Sequence, residues 1–224
     1  MKKYKAVIFD LDDTLLDRNV AVDELLYLLV EKYYNSSGDI DTDKMLYQFR
    51  HYDKENFGKA DKTKVLEPFF ETFPPDIEMD KDEMMEFWNT YFPKCFKADQ
   101  ETLSILDKIS SKVKMAIVTN GTSERQNAKI KNSGLDAYFK TILISEEAGV
   151  RKPDRRIFDM VLNHLELEAG EVLFIGDHLE WDVEGSQNAG MNDVWFNPLN
   201  HENNTHIHPS KEIKNMGDLL KWIE

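Results

Sequence analysis

The sequence predicts an open, mostly parallel α/β sheet with an all-helical block inserted after the first strand. Three observations carry that expectation. A short apolar run near the start ends in an acidic loop. The stretch from about residue 20 to 95 places its apolar residues only at helical spacing. Beyond it, apolar strand runs and amphipathic helices alternate.

The first strand is Tyr4-Lys5-Ala6-Val7-Ile8-Phe9, whose continuous apolar stretch fits a strand buried on both faces. The acidic loop Asp10-Leu11-Asp12-Asp13-Thr14 follows it. In the helical block, Val22, Leu25, Leu26, Leu29, Val30 and Tyr33 share one face. A second helix carries Met45, Leu46, Phe49 and Tyr52, and a third runs from near Val65 to Phe73, before Pro74-Pro75. A fourth opens on the capping-box pair Asp80 and Glu83 and presents Met84, Phe87, Trp88 and Tyr91.

A helix over Leu103 to Ile109 then precedes the strand Met115 to Val118. A helix near Glu124 to Asn132, a short strand Thr141 to Ile144 and a helix around Ile157 to Leu165 come next. The strand Val172 to Ile175, a helix ending at Gly190 and a last strand near Val194-Trp195-Phe196 complete the pattern. The loop from Asn200 to Lys211 is polar and expected to be mobile. The division expected is a sheet core of residues 1–17 and 96–224 with a helical block of residues 18–95.

Composition sets limits on function. With 224 residues, 41% hydrophobic and 31% charged, the chain is an ordinary globular one. Its one cysteine, Cys95, excludes an internal disulfide and fits a reducing compartment. The densest apolar run, Leu25 to Val30, is far short of the roughly 20 residues a membrane helix needs. The run Ala6 to Phe9 after Met1-Lys2-Lys3 stops too soon for a signal peptide. A cytoplasmic protein with no membrane partner is expected. The net charge of −14 argues against nucleic acid as a general partner. It also means that an anionic ligand would need cations supplied locally.

In an open α/β sheet, ligands bind beyond the carboxyl ends of the strands. There the sequence places Asp10, Asp12 and Asp13; then Thr119, Asn120 and Gly121; then Lys152-Pro153-Asp154; then Gly176, Asp177 and Asp182. Asp10 and Asp12 are two apart, so an extended backbone points both the same way. One could attack phosphorus while the other handles the leaving group's proton. Clustered carboxylates call for a hard cation such as Mg²⁺, with Asp177 completing its site. Thr119 offers a hydroxyl to a phosphate oxygen. The helix after it looks capped by Ser123 with Gln126, and its N–H groups would favour an anion. Lys152 supplies a fixed positive charge.

These residues resemble the haloacid dehalogenase superfamily, in its phosphatase branch. The matching segments are Asp10-Leu11-Asp12-Asp13-Thr14, Val118-Thr119-Asn120-Gly121, Lys152-Pro153-Asp154, and Ile175-Gly176-Asp177 with Asp182. They span the whole chain in order. The resemblance implies a Rossmann-like core with a small helical cap. It implies Asp10 as nucleophile and metal ligand, and Asp12 as general acid then base, with its backbone carbonyl on the metal. Thr119, Asn120, Gly121 and Lys152 would hold the phosphoryl group. Asp177 would bind Mg²⁺, and Asp182 would bind it through water or orient Lys152.

The resemblance further implies a small phosphate ester as substrate, with nucleoside 5′-monophosphates a first choice. A sugar phosphomutase of the same superfamily is the alternative within the enzymes. A phosphoaspartate receiver module is the alternative from another class, disfavoured because the acceptor follows the first strand. A dehalogenase is disfavoured by Asp12. The histidines His201, His206 and His208 lack companions for a zinc site. Phe49, Tyr52, Phe57 and Trp88 read mainly as core of the helical block, Arg50 and His51 are unassigned, and oligomeric state is not legible.

Overall fold

The computed structural model describes residues 4–35 and 41–223. In chain order the elements begin with β1 (Ala6–Phe9), α1 (Arg18–Tyr33), α2 (Thr42–Glu55), α3 (Thr63–Thr72), α4 (Lys81–Cys95) and α5 (Gln100–Ser110). They continue with β2 (Lys114–Thr119), α6 (Ser123–Asn132), β3 (Thr141–Ile144), α7 (Ser145–Ala148) and α8 (Arg155–Leu165). The last are β4 (Val172–Gly176), α9 (Gly185–Asn188), β5 (Asn192–Phe196), β6 (Glu212–Ile213) and α10 (Leu220–Ile223). The chain divides into two compact units, Met1–Asp17 with Ala98–Glu224, and Arg18–Lys97.

The first unit is built on a six-stranded sheet in the order β3-β2-β1-β4-β5-β6. Every strand pair is parallel. β1 is central and buried on both faces, which is why it reads as an unbroken apolar run rather than an alternation. On one face Ala6 and Ile8 join Ala116, Val118 and Phe174 under the apolar stripe of α8, Ile157, Phe158, Val161 and Leu165. Phe9 meets Phe139 edge-on at 5.8 Å. This is the doubly wound α/β core that the alternation of strands and helices implies.

β6 differs from the sequence expectation. Two residues are too few to show a period, and they follow a stretch that reads as loop. They pair beside β5, where the Trp195 N–H donates to the Lys211 carbonyl and the Asn197 N–H to Ile213, each at 2.8 Å. The polar loop before it is anchored at two points. Ile207 is buried against Val183 and Trp195. Asp193 accepts from the Ser210 N–H at 2.7 Å and its hydroxyl at 2.5 Å. The loop is polar because its side chains serve its own backbone.

The second unit is all helical. Leu25, Leu26 and Leu29 of α1 are buried with Phe49, Phe69 and Trp88. Phe49 and Phe69 meet edge-on at 5.0 Å. The Asp80–Glu83 capping box that opens α4 is present in both directions, at 2.8 and 2.9 Å. Of the aromatic residues read as core, Phe49 and Trp88 are fully buried, while Phe57 is exposed. Arg50 pairs with Asp23, and His51 lies 3.5 Å from Glu55. Cys95 is buried, and burial pushes its thiol up to about 12, so it is inert at neutral pH. Among the described residues, no helix is long and apolar enough to cross a membrane.

Candidate active site

Strand register assembles the site. Phe9 pairs with Ile117 on one side and Ile175 on the other. The residues that follow, Asp10, Thr119 and Asp177, therefore emerge together at the carboxyl edge of the sheet. Asp10 extends the ladder by one step, its N–H donating to the Ile175 carbonyl at 2.8 Å. Its side chain meets Lys152, whose Nζ donates to Asp10 Oδ1 and to Asp182 Oδ1, each at 2.6 Å. Lys152 is only 2% exposed.

Asn120 fixes that lysine. Its Oδ1 accepts from the Lys152 N–H at 2.9 Å and its Nδ2 donates to the Lys152 carbonyl at 3.1 Å. Both ends of the amide thus engage the Lys152 backbone. Asp182 lies in a π-helical turn, Leu179–Glu184, and accepts the His178 N–H at 3.0 Å. Its carboxylate lies so close to Gly176 that a Cβ there would sit 2.3 Å from its Cγ. Glycine before Asp177 is required by Asp182.

Thr119 and Asp12 form a second arrangement. Gln126 Nε2 donates to Thr119 Oγ1 at 2.7 Å and to Asp12 Oδ2 at 3.1 Å. Lys129 Nζ reaches both oxygens of Asp12, at 2.7 and 2.8 Å. Gln126 and Lys129 are both buried. On the other side of the loop, Thr14 Oγ1 donates to Asp177 Oδ1 at 3.3 Å. Trp195 Nε1 donates to the Asp177 carbonyl at 2.8 Å.

The electrostatics are unbalanced. Burial raises the Asp10 carboxyl to about 7; Lys152 opposes the rise, and the charges of Asp182 and Asp12 add to it. Asp177 is held well above the carboxylate range, first by burial and then by Asp182 and Asp10. For Lys152, burial acts to lower the ammonium, but Asp10 and Asp182 outweigh it and hold it above its ordinary value. Three carboxylates thus share one nearby ammonium. Ligand oxygens of Asp10, Asp177 and Asp182 all lie within 4.8 Å of one another. A set of hard oxygen donors, without sulfur or imidazole and short of positive charge, fits Mg²⁺.

A family model described as haloacid dehalogenase-like hydrolase matches residues 7–196. The chain belongs to the haloacid dehalogenase-like hydrolases. YfnB of Bacillus subtilis, whose crystal structure was determined bound to magnesium, superposes with a TM-score of 0.82 at 26% identity over 100% of both chains. The pyrimidine 5′-nucleotidase PynA of Streptococcus pneumoniae is 28% identical over 99% of this chain and 95% of its own. The pyrimidine 5′-nucleotidase YjjG of Escherichia coli is 34% identical over 54% of each.

In this hydrolase α6 lies where the sequence predicts it, but its start is held differently from the expected Ser123–Gln126 cap. No side-chain cap closes the helix at Thr122. The Ser123 N–H donates to Glu146 Oε2 at 2.7 Å, and its hydroxyl donates to Glu147. A carboxylate of the chain itself therefore occupies the helix start that looked suited to a substrate anion. Gln126, read as the other half of a capping box, points to Asp12 and Thr119 instead. Lys129 lies outside the sequence motifs that mark the other residues of the site. The available signal was that Gln126 and Lys129 flank Ile130 on the buried stripe of α6, where apolar residues belong. The three loop histidines are exposed, and His206 lies 3.5 Å from Glu184.

Proposed function

We propose that this hydrolase is a Mg²⁺-dependent phosphatase of small phosphate monoesters, with nucleoside 5′-monophosphates the first class to test. The observation that carries the reading is the division of labour among the carboxylates. Asp10 lies beside Lys152 and the acidic group, while Asp12 two residues on is held by other partners. A nucleophile and a separate proton carrier are what phosphoryl transfer through an acyl phosphate requires. The nucleotidase names of PynA and YjjG support the substrate class.

In the proposed reaction an Asp10 oxygen attacks phosphorus, and the bond from phosphorus to the ester oxygen breaks. Asp12 gives its proton to that departing oxygen. Water then attacks the aspartyl phosphate, giving its proton to Asp12, and the bond between phosphorus and Asp10 breaks to release phosphate. Lys152, the Thr119 hydroxyl and the main chain of Asn120 and Gly121 hold the phosphoryl oxygens. Asp10, Asp177, Asp182 and the Asp12 carbonyl would hold Mg²⁺, which when bound offsets the charge of the carboxylates and of the phosphate. Asp182 also orients Lys152.

Phosphate release from a panel of nucleotides, sugar phosphates and simple esters, with Mg²⁺ and with chelator, tests the reading. Turnover that needs Mg²⁺ and vanishes in Asp10→Asn supports it. Labelling of Asp10 without turnover would point to a receiver-like role, and isomerised sugar phosphate without free phosphate to a mutase.

A further inference from the structure

We propose that Lys129 and Gln126 are positioning residues that hold Asp12 in register with Thr119 for proton transfer. The proposal rests on the phosphatase reading above and assigns a task to two residues outside the family's four motif segments. Lys129 Nζ spans both oxygens of Asp12, at 2.7 and 2.8 Å. That contact fixes the plane of the carboxylate as well as its place. The single amide group of Gln126 donates one proton to Asp12, at 3.1 Å, and the other to Thr119, at 2.7 Å. One NH₂ group therefore sets the separation between the proton carrier and a phosphate-holding hydroxyl. Because Thr119 Oγ1 accepts from Gln126, its own proton is directed elsewhere, as donation to a phosphoryl oxygen requires.

Two further observations support a functional arrangement. Gly121 has φ of +156° and a Cβ there would lie 2.8 Å from Gln126 Cδ. The glycine of the threonine segment is thus shaped around the Gln126 side chain. Side chains of Lys129 and Asp12 are only 5% and 15% exposed. α6 carries both residues one turn apart, so a rigid element holds them, as precise placement of a reacting group requires.

The test compares leaving groups. p-Nitrophenolate departs without a proton, whereas an alkyl alkoxide needs one from Asp12. With Mg²⁺ present, native protein, Lys129→Met, Lys129→Arg and Gln126→Ala are assayed on p-nitrophenyl phosphate and on the best alkyl ester of the panel. In Lys129→Met, kcat on the alkyl ester is expected to fall about 100-fold, at the low end of what acid–base catalysis contributes. KM should change little. On p-nitrophenyl phosphate the same variant should show a burst of nitrophenol, one equivalent per site, followed by slow turnover, because the second step still needs Asp12. Lys129→Arg should recover most of the loss, and Gln126→Ala should show the same pattern more weakly. An equal loss on both esters with no burst, or unchanged kcat in a folded Lys129→Met protein, would overturn the proposal. Absence of turnover by the native protein on every ester of the panel would instead remove the phosphatase reading itself, so the two failures are distinguishable.

Discussion

In the helical unit, Arg18 Nη2 donates to both oxygens of Asp53, at 2.6 and 2.8 Å, between the rings of Phe57 and Phe92. At the sheet edge, Lys152 donates to Asp10 and Asp182 while Asp177 stands alongside. Both arrangements bury charge. The first matches one cation to one carboxylate. The second is left with more carboxylates than cations, and burial raises two of those carboxylates further. Buried charge alone does not mark a functional site; a local imbalance that a ligand can correct does.

The same substitution made in both places breaks the comparison most sharply. Asp10→Asn is expected to lower phosphate release about 10⁴-fold or more, as loss of a nucleophile does. Yet it removes a charge from an overfull cluster, so its metal-free melting temperature at pH 8 should be no lower than that of the native protein. Asp53→Asn should do the reverse. It leaves Arg18 buried without its carboxylate, at a cost of about 3–5 kcal/mol, which is roughly 10 °C in Tm for a chain of this size. Its kcat, measured below the melting range, should stay within about threefold of native, because only stability and not a reacting group is lost. A large loss of stability in Asp10→Asn would mean that the sheet-edge cluster is balanced after all. Lys152→Met lies between the two. Loss of its charge should reduce kcat about 10²–10³-fold, and thermal melts should show a larger loss of stability with chelator than with Mg²⁺.

Acidity gives a smaller effect whose direction is fixed. The Asp10 carboxyl is raised from 3.8 to about 7 in the folded protein. Between those values the unfolded chain has released the proton that the folded chain keeps, so stability falls as pH rises through that window. Asp177 shifts in the same direction. Mg²⁺ competes with these protons. Its stabilisation should therefore grow from pH 5 to pH 8, reaching about 5–10 °C when Mg²⁺ is in large excess over its dissociation constant. Thermal melts with Mg²⁺ and with chelator at several pH values measure this. An equal Mg²⁺ effect at pH 5 and pH 8 would argue that these carboxylates do not hold the metal. Asp10→Asn should flatten the profile.

Much of the fold and site was legible because it depends on strand ends. An unbroken apolar run marks β1, and parallel pairing then brings Asp10, Thr119, Asp177 and the Lys152 loop to one edge. What the sequence concealed depends on where side chains turn. A Ser followed three residues later by Gln has the form of a capping box, but Glu147 draws the Ser123 hydroxyl away and Gln126 turns inward. Asn120 sits next to the threonine proposed to hold phosphate and reads as its helper, yet its amide closes on Lys152. Lys129 resembles any solvated helix lysine until its place on the buried stripe of α6 is seen. β6 is too short to carry a pattern, and the loop before it is held by bonds that composition alone does not show.

The smallest effect concerns a carboxylate that lies outside the cluster. Glu146 accepts the Ser123 N–H at 2.7 Å, at the first turn of α6. There it meets the partial positive charge of a helix start, so its charge already has a match. If imbalance is what distinguishes the site, Glu146→Ala should act on the helix and not on the chemistry. Tm should fall by about 1–3 °C, as expected for one exposed helix-end interaction in a domain of this size. The value of kcat should stay within about twofold, since no interaction made only in the transition state is removed. The variant also vacates the helix start that the sequence suggested for a phosphate. Improved KM for the ester with unchanged kcat would show that Glu146 competes with substrate there, and that the boundary between structural and functional carboxylates runs closer to α6 than the Lys152 cluster implies.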